Sequence, residues 1–137
     1  MVDKEVVLKR LNNLKDNLNY LKGIKDFSKN EFSSDPDIYF RYERSLHLAI
    51  EAVLDIGNHL IADQRLRTPE SNRDIFKILV DNNIIDKDLS EKLMKMAGFR
   101  NILVHDYLSL DRELEYEIIL NNINDIKEFI KIVVKYI

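Results

Sequence analysis

Hydrophobic residues recur every three or four positions along most of the chain, as expected for helices that bury one face. The first such stripe consists of Val7, Leu11, Leu14, Leu18 and Leu21. A second stripe follows the segment "SSDPD", where Ser or Asp can cap a helix and Pro36 fits its first turn. It runs to about Arg65 and comprises Tyr39, Tyr42, Leu46, Ala49, Val53, Ile56 and Leu60. The two stripes predict two long amphipathic helices.

Three further helices are predicted in the second half of the chain. A short one begins at a cap formed by Ser71 or Asn72, and a fourth begins near Asp86. The last follows Ser109 or Asp111, and its stripe is Ile119, Ile123, Ile126, Ile130, Val133 and Ile137. No alternation of apolar and polar residues is long enough for a β-strand. We therefore expect an all-α fold, an antiparallel helical bundle of four long helices plus a short one, in a single domain over residues 1–137.

The composition fits this expectation and narrows the chemistry. The chain has 137 residues, of which 45% are hydrophobic and 33% charged, as in ordinary globular proteins. There is no cysteine, which excludes a disulfide framework and a thiolate zinc site. No apolar run is long enough to span a membrane, and the N-terminal residues are too charged for a signal peptide. A cytoplasmic protein with no membrane contact is expected.

The charge of the chain excludes one class of nucleic-acid binding but leaves another open. A net charge of −3 argues against coating of nucleic acid by a broadly basic surface. A small phosphate site remains compatible with it. Between Lys29 and Lys77 every cationic residue is an arginine, whose planar guanidinium suits phosphate; these residues are Arg41, Arg44, Arg65, Arg67 and Arg73.

The segment "MAGFRNILVHDY", Met96 to Tyr107, places Arg100 and His105 five residues apart in a predicted helix. Five residues rotate a helix by about 140° from the starting side chain, so the two would diverge. Asn101 and His105, four apart, share a face. Two arrangements would let Arg100 and His105 cooperate: the helix is distorted or ends at His105, or two copies of the motif meet across a symmetric interface.

Arginine and histidine together suit the cleavage of RNA. Arginine neutralises a phosphate and the added charge of its transition state, and histidine transfers protons near neutral pH. The 2′-hydroxyl of RNA supplies the nucleophile, so no metal is required, and Asn101 could orient the phosphate or the imidazole. The spacing alone is also compatible with an Arg100 bonded to a carboxylate and a His105 at a helix end.

This segment and the upstream "YFRYERSLHLAIEAVLDIGNHLIAD" closely resemble the HEPN superfamily, in its HepT-like toxin branch. The RX4HXY signature of that branch reads here as Arg100, His105 and Tyr107, preceded by the matching Gly98 and Phe99. The resemblance spans roughly residues 38 to 115.

The resemblance implies a ribonuclease toxin of a type VII-like toxin–antitoxin pair. Its members form homodimers whose paired motifs line a composite cleft that cleaves RNA, possibly tRNA, without a metal or other cofactor. On this reading Arg100, His105 and Asn101 are catalytic. The partner is an MNT-type nucleotidyltransferase antitoxin that transfers AMP to the motif tyrosine, here Tyr107. Added phosphate beside the motif would fill the anion site and repel RNA.

Other polar residues of the second helix are candidates for supporting roles. Glu43 and Arg44 could hold Arg100 or accept RNA phosphate, and Asp55 and His59 could border the cleft. Carboxylate and histidine four residues apart do not form the ligand pattern of a di-iron bundle. No metal site is therefore predicted.

Two alternatives remain open. The first is a non-catalytic HEPN module that binds nucleotide or RNA, or serves as a scaffold for a nucleotidyltransferase. The second is an interaction bundle without a site, in which Arg100 forms a core ion pair. Gly98 costs roughly 1 kcal/mol in a helix relative to alanine, so we expect it to permit close approach of another helix beside the cleft.

Overall fold

The computed structural model describes residues 4–137, and within that range the chain is helical with no β-strand. The α-helices are α1 (Lys4–Leu21), α2 (Lys29–Ser34), α3 (Pro36–Asp63), α4 (Asn72–Asp81), α5 (Lys87–His105) and α6 (Arg112–Val134). Two 3-10 helices, Lys22–Asp26 and Tyr107–Ser109, complete the described chain. None of its helices is long and apolar enough to cross a membrane. The predicted all-α helical bundle is confirmed.

Short polar side chains set the starts of the helices. They accept hydrogen bonds from backbone N–H groups of the first turn and leave fewer of these donors unpaired. The caps of α3, α4, α5 and α6 are Asp35, Ser71, Asp86 and Asp111. Each lies where the sequence predicts a helix start. The predicted ends run slightly too far, because α3 ends at Asp63 and α6 at Val134.

The sequence did not predict α2. It is held by a capping box, in which the Ser28 hydroxyl accepts from the N–H of Glu31 and the Glu31 carboxylate accepts from that of Ser28, each at 3.1 Å. Its only buried residue is Phe32, so no apolar stripe marks it. The Phe32 ring packs between those of Tyr42 and Tyr116, with centroids 6.2 and 5.6 Å away.

The apolar stripes form one contiguous core. α1 packs along α3, and α4 packs along α5. A Cβ atom at Gly57 would lie 2.6 Å from Cγ2 of Ile75, so glycine permits the close approach of α3 and α4. The rings of Phe76 and Phe129 meet edge to face across the core, 6.2 Å apart.

The opposite face of α3 is not covered by the core. Together with α1, it lines an open groove with a volume of about 770 Å³. The residues of α3 that line this groove are Arg41, Arg44, Ser45, Leu48, Glu51, Ala52 and Asp55. α3 also contacts α5, so its polar face meets the segment that carries the motif.

Candidate active site

The RX4HXY motif straddles the end of a helix. α5 ends at His105, and Asp106, with φ −138° and ψ 44°, leaves helical geometry. The Asp106 carboxylate accepts a hydrogen bond of 2.9 Å from the Ser109 hydroxyl, which closes the turn. Tyr107 begins the 3-10 helix that follows. Arg100 therefore lies within α5, His105 at its last position and Tyr107 beyond it.

A carboxylate of α3 holds Arg100. Nε of Arg100 donates to Oε1 of Glu51 at 2.5 Å, and Nε2 of His47 lies 3.5 Å from the same oxygen. The Arg100 side chain is 22% exposed and that of Glu51 40% exposed. An ion pair this open to water contributes only about 0–1 kcal/mol. An incoming phosphate can therefore take the place of Glu51 on Arg100.

His105 and Asn101 lie on the solvent side of α5. Both are exposed, one helical turn apart. His105 is the basic residue of the last turn of α5. Exposed apolar side chains flank His105, with Val104 at 40% and Leu108 fully exposed. His105 is therefore placed to exchange protons with a bound molecule.

Tyr107 belongs to a polar cluster with Glu43 and Arg112. Its hydroxyl donates to Oε2 of Glu43 at 2.9 Å and accepts from Nη2 of Arg112 at 2.8 Å. Nε of Arg112 lies 3.0 Å from Oε1 of Glu43. The guanidinium stacks on the ring of Tyr39, 3.7 Å from its centroid, as in a cation–π contact. The cluster joins α3, the 3-10 helix after α5 and the first turn of α6.

Glu115 completes this cluster from the buried side. It is 0% exposed, and within residues 4–137 neither of its carboxyl oxygens has a hydrogen-bond donor. Burial and the negative charge of the neighbouring Glu43 raise the pKa of Glu115 to about 9. The raised pKa favours the protonated acid at neutral pH.

The Tyr107 hydroxyl is also protonated at neutral pH. Burial, and then the hydrogen bond and charge of Glu43, raise the pKa of Tyr107, whereas Arg112 opposes the shift. A phenol in this state is a weak nucleophile unless a base removes its proton during attack.

The structure corrects the expectation that Glu43 or Arg44 holds Arg100. Glu51 occupies that role, and Glu43 binds Tyr107 and Arg112 instead. Arg44 is exposed and lines the groove between α1 and α3. It remains a candidate for contact with phosphate.

Asp55 and His59 lie further along α3. Asp55 lines the same groove as Glu51 and forms an ion pair with Arg10 of α1. His59 lies 3.8 Å from Asp55 and borders a separate small cavity between α1, α3 and the chain's end. Asp55 thus adjoins the open groove, whereas His59 borders the smaller cavity.

Sequence reasoning missed Glu51 and Arg112. Both are ordinary charged residues in amphipathic helices, and nothing in their spacing marks them. Only the packing of α3 against α5 brings Glu51 to the level of Arg100.

Gly98 does not permit a close approach within this chain. A Cβ atom built at Gly98 would have no atom within 4 Å among the described residues. The expected close approach is therefore absent from the fold of residues 4–137, and this surface of α5 is open. No group of three or more His, Cys, Asp or Glu side chains in the described range could hold a metal ion.

An all-α bundle with the arginine, histidine and tyrosine of RX4HXY around the end of α5 defines a HEPN-type domain. The family model described as "Ribonuclease HepT-like" matches residues 14–133. The chain therefore belongs to the HepT-like ribonuclease family, and the HepT-like toxin branch and ribonuclease class predicted from the signature are confirmed.

Characterised relatives carry nuclease names. The chain is 35% identical over 105 residues to "mRNA nuclease HepT" of Shewanella oneidensis. This alignment covers 77% of this chain and 76% of that protein. It is 28% identical over 94 residues to "tRNA nuclease HepT" of Aphanizomenon flos-aquae, covering 69% of this chain and 64% of that protein.

Solved structures show the same fold in a complex. One is the tri-AMPylated HEPN toxin of Shewanella oneidensis bound to its MNT antitoxin. The structural alignment covers 100% of both chains, with a TM-score of 0.86 and 31% sequence identity. The helical fold is therefore shared along the whole length of both chains.

Proposed function

We propose that this chain is the toxin of a HEPN–MNT pair and cleaves RNA without a metal ion. The observation that carries this is the position of Arg100. Its side chain is partly exposed and pairs with the replaceable carboxylate of Glu51, and it lies on α5, the helix that ends at His105. Arg100 binds the scissile phosphate and stabilises the charge of its transition state. His105 acts as general base or general acid, and Asn101 orients the phosphate.

The reaction needs only groups that the RNA and the chain supply. A 2′-hydroxyl loses its proton to an imidazole and attacks the adjacent phosphorus. The bond to the 5′-oxygen of the next nucleotide breaks, and that oxygen takes a proton. Histidine serves both transfers because its ordinary pKa lies near neutrality.

A homodimer would complete the site. Arg100 and His105 are separated by about 140° around α5, so one phosphate is reached more easily by Arg100 of one copy and His105 of another. The exposed apolar side chains of Val104 and Leu108, on either side of His105 in the sequence, support a second copy at this end of α5.

AMP transfer to Tyr107 would switch the toxin off. Tyr107 is 39% exposed and follows His105 by two residues, so a modifying enzyme can reach it. The related Shewanella toxin is tri-AMPylated in its complex with an MNT antitoxin. Negative charge added here would compete with RNA phosphate for Arg100 and repel RNA. We expect both proteins to act in the cytoplasm.

RNA cleavage by purified variants tests the catalytic assignment. Wild type, Arg100→Ala and His105→Ala are incubated with total tRNA and with an mRNA transcript, with EDTA present. We expect each variant to cleave about 10²- to 10⁴-fold more slowly than wild type. Lys131→Ala, at an exposed cation in the last turn of α6, is the control and should cleave normally. Equal rates for all four proteins would remove Arg100 and His105 from the mechanism.

Mixing the two inactive variants tests the composite cleft. A dimer of Arg100→Ala with His105→Ala has one intact site if each site takes its residues from both copies. We expect roughly a quarter of wild-type activity, because half of randomly mixed dimers are mixed and each retains one of two sites. No recovery in verified mixed dimers would contradict the composite cleft. Binding of RNA without cleavage by the wild type would favour the non-catalytic module.

A further inference from the structure

The chain itself surrounds the Tyr107 hydroxyl with a base and a cation. Oε2 of Glu43 accepts its hydrogen bond at 2.9 Å, and Nη2 of Arg112 donates to it at 2.8 Å. Glu43 is 6% exposed, and Arg112 is fixed by its stacking on Tyr39. Because these residues come from α3 and α6 of the same chain, the hydroxyl is oriented before any partner binds.

We propose that Glu43 is the base that takes the proton of Tyr107 during AMP transfer, and that Arg112 positions the hydroxyl. This role rests on the proposed modification of Tyr107. Oη of Tyr107 forms a bond to the α-phosphorus of ATP, and the bond from that phosphorus to the pyrophosphate oxygen breaks. Pyrophosphate leaves with the electron pair, and the Oη proton passes to Oε2 of Glu43.

Glu43 meets the geometric requirement for a general base. A base must lie within hydrogen-bond reach of the proton that it removes, about 2.6–3.2 Å between heavy atoms. Glu43 approaches Oη from the buried side, whereas the Tyr107 side chain is 39% exposed. The nucleotide and the transferase can therefore approach from the solvent side without displacing the base.

Glu43 can accept the Tyr107 proton, whereas its neighbours Glu115 and Arg112 cannot. Glu115 faces it from the interior and already carries a proton, so it cannot take a second one. Arg112 is a cation and has no acceptor. Once the ester forms, the Oη proton is lost and so is the bond to Glu43. Arg112 remains beside Oη, where it can offset the charge of the new phosphodiester.

AMP transfer by the MNT antitoxin of Shewanella oneidensis tests the proposal. Full-length wild type and Glu43→Gln are incubated with this antitoxin and ATP, and intact mass spectrometry counts AMP groups over time. Glutamine can still accept the hydrogen bond of Tyr107 but cannot take its proton. We expect transfer to slow by on the order of 10²-fold. Glu117→Gln, a matched change at a surface carboxylate that pairs with Lys29, should be labelled at the wild-type rate.

A more acidic tyrosine separates proton transfer from positioning. Position 107 is replaced by a fluorinated tyrosine, whose phenol ionises more readily, in both the wild-type and Glu43→Gln backgrounds. We expect the substitution to accelerate transfer far more in Glu43→Gln, because an ionised phenol needs no base. A purely structural effect of Glu43→Gln would not be rescued, and absence of rescue would overturn the proposal.

The outcomes distinguish this inference from the proposed function. If wild type binds the antitoxin and still receives no AMP, modification of Tyr107 and the role of Glu43 fall together. If wild type and Glu43→Gln are labelled at equal rates, only the role of Glu43 falls. Should Glu43→Gln not fold, Glu43→Asp keeps a carboxylate near Arg112 but withdraws it from Tyr107. It should be labelled about tenfold more slowly, and a wild-type rate would overturn the proposal.

Discussion

Two glutamates of α3 bind the two ends of the motif, in contrasting surroundings. Glu51 holds Arg100, and its side chain is 40% exposed. Glu43, eight residues earlier, holds Tyr107 and Arg112, and its side chain is 8% exposed. The residue type and the helix are the same, but the depth of burial of the two carboxylates and their partners differ.

The difference in burial separates an exchangeable contact from a fixed one. Water screens the pair of Glu51 and Arg100, so breaking it costs little and a phosphate can replace it. Removing a partner from the buried cluster leaves an uncompensated charge, which is costly. Arg100, which we propose to be catalytic, is thus held by a weak contact, whereas the Tyr107 hydroxyl is held by buried partners.

Truncating Glu43 and Glu51 in turn should give the largest contrast, which we expect in the free energy of unfolding. We expect Glu43→Ala to lower the free energy of unfolding by roughly 2–4 kcal/mol, because Arg112 loses its buried partner. Glu51→Ala should lower it by less than about 1 kcal/mol. Urea unfolding followed by circular dichroism measures both, with equal m-values as the check that the unfolded states are comparable. Equal losses would remove the distinction between the two contacts.

Glu115, in the buried cluster around Glu43, should make the free energy of unfolding depend on pH. Its pKa rises from 4.5 to about 9 on folding, so the folded state keeps a proton that the unfolded state loses over this interval. The stabilising contribution is complete below about pH 4.5 and declines as pH rises toward 9. Glu115→Gln mimics the protonated acid and should remove this decline.

At pH 8 we expect Glu115→Gln to exceed wild type by more than about 1 kcal/mol in free energy of unfolding, with the gap closing near pH 5. Urea unfolding at a series of pH values measures this. Parallel stability curves for the two proteins would show that Glu115 is ionised when folded.

A change at Glu51, the exposed glutamate, should have the smallest of these effects, and the effect should be on RNA affinity. Glu51→Gln removes the carboxylate that competes with RNA phosphate for Arg100. We expect RNA affinity to increase by about two- to fivefold, the equivalent of a weak surface ion pair. Fluorescence anisotropy in the His105→Ala background measures it without cleavage. Glu91→Gln, the same charge change near the start of α5, is the control. Weaker binding in Glu51→Gln would mean that Glu51 orients Arg100 productively.

Most of the fold could be predicted from the sequence because its signals are local. Apolar spacing located five helices, and polar residues such as Ser71 and Asp86 marked their starts. α2 was missed because its six residues bury only Phe32, too few for a periodic stripe. Its existence depends on the aromatic contacts with Tyr42 and Tyr116, which are distant in sequence.

By itself, the sequence determined five of the six α-helices described, the family and the motif of Arg100, His105 and Tyr107. Periodicity and capping act over a few residues, and a family signature is a property of sequence. Only the tertiary structure decided what each motif residue touches. The packing of α3 against α5 brings Arg100 into contact with Glu51. The start of α6 places Arg112 in contact with Tyr107 and Glu43. These contacts join residues 49 and 64 positions apart in two of the pairs, and no local pattern encodes such distances.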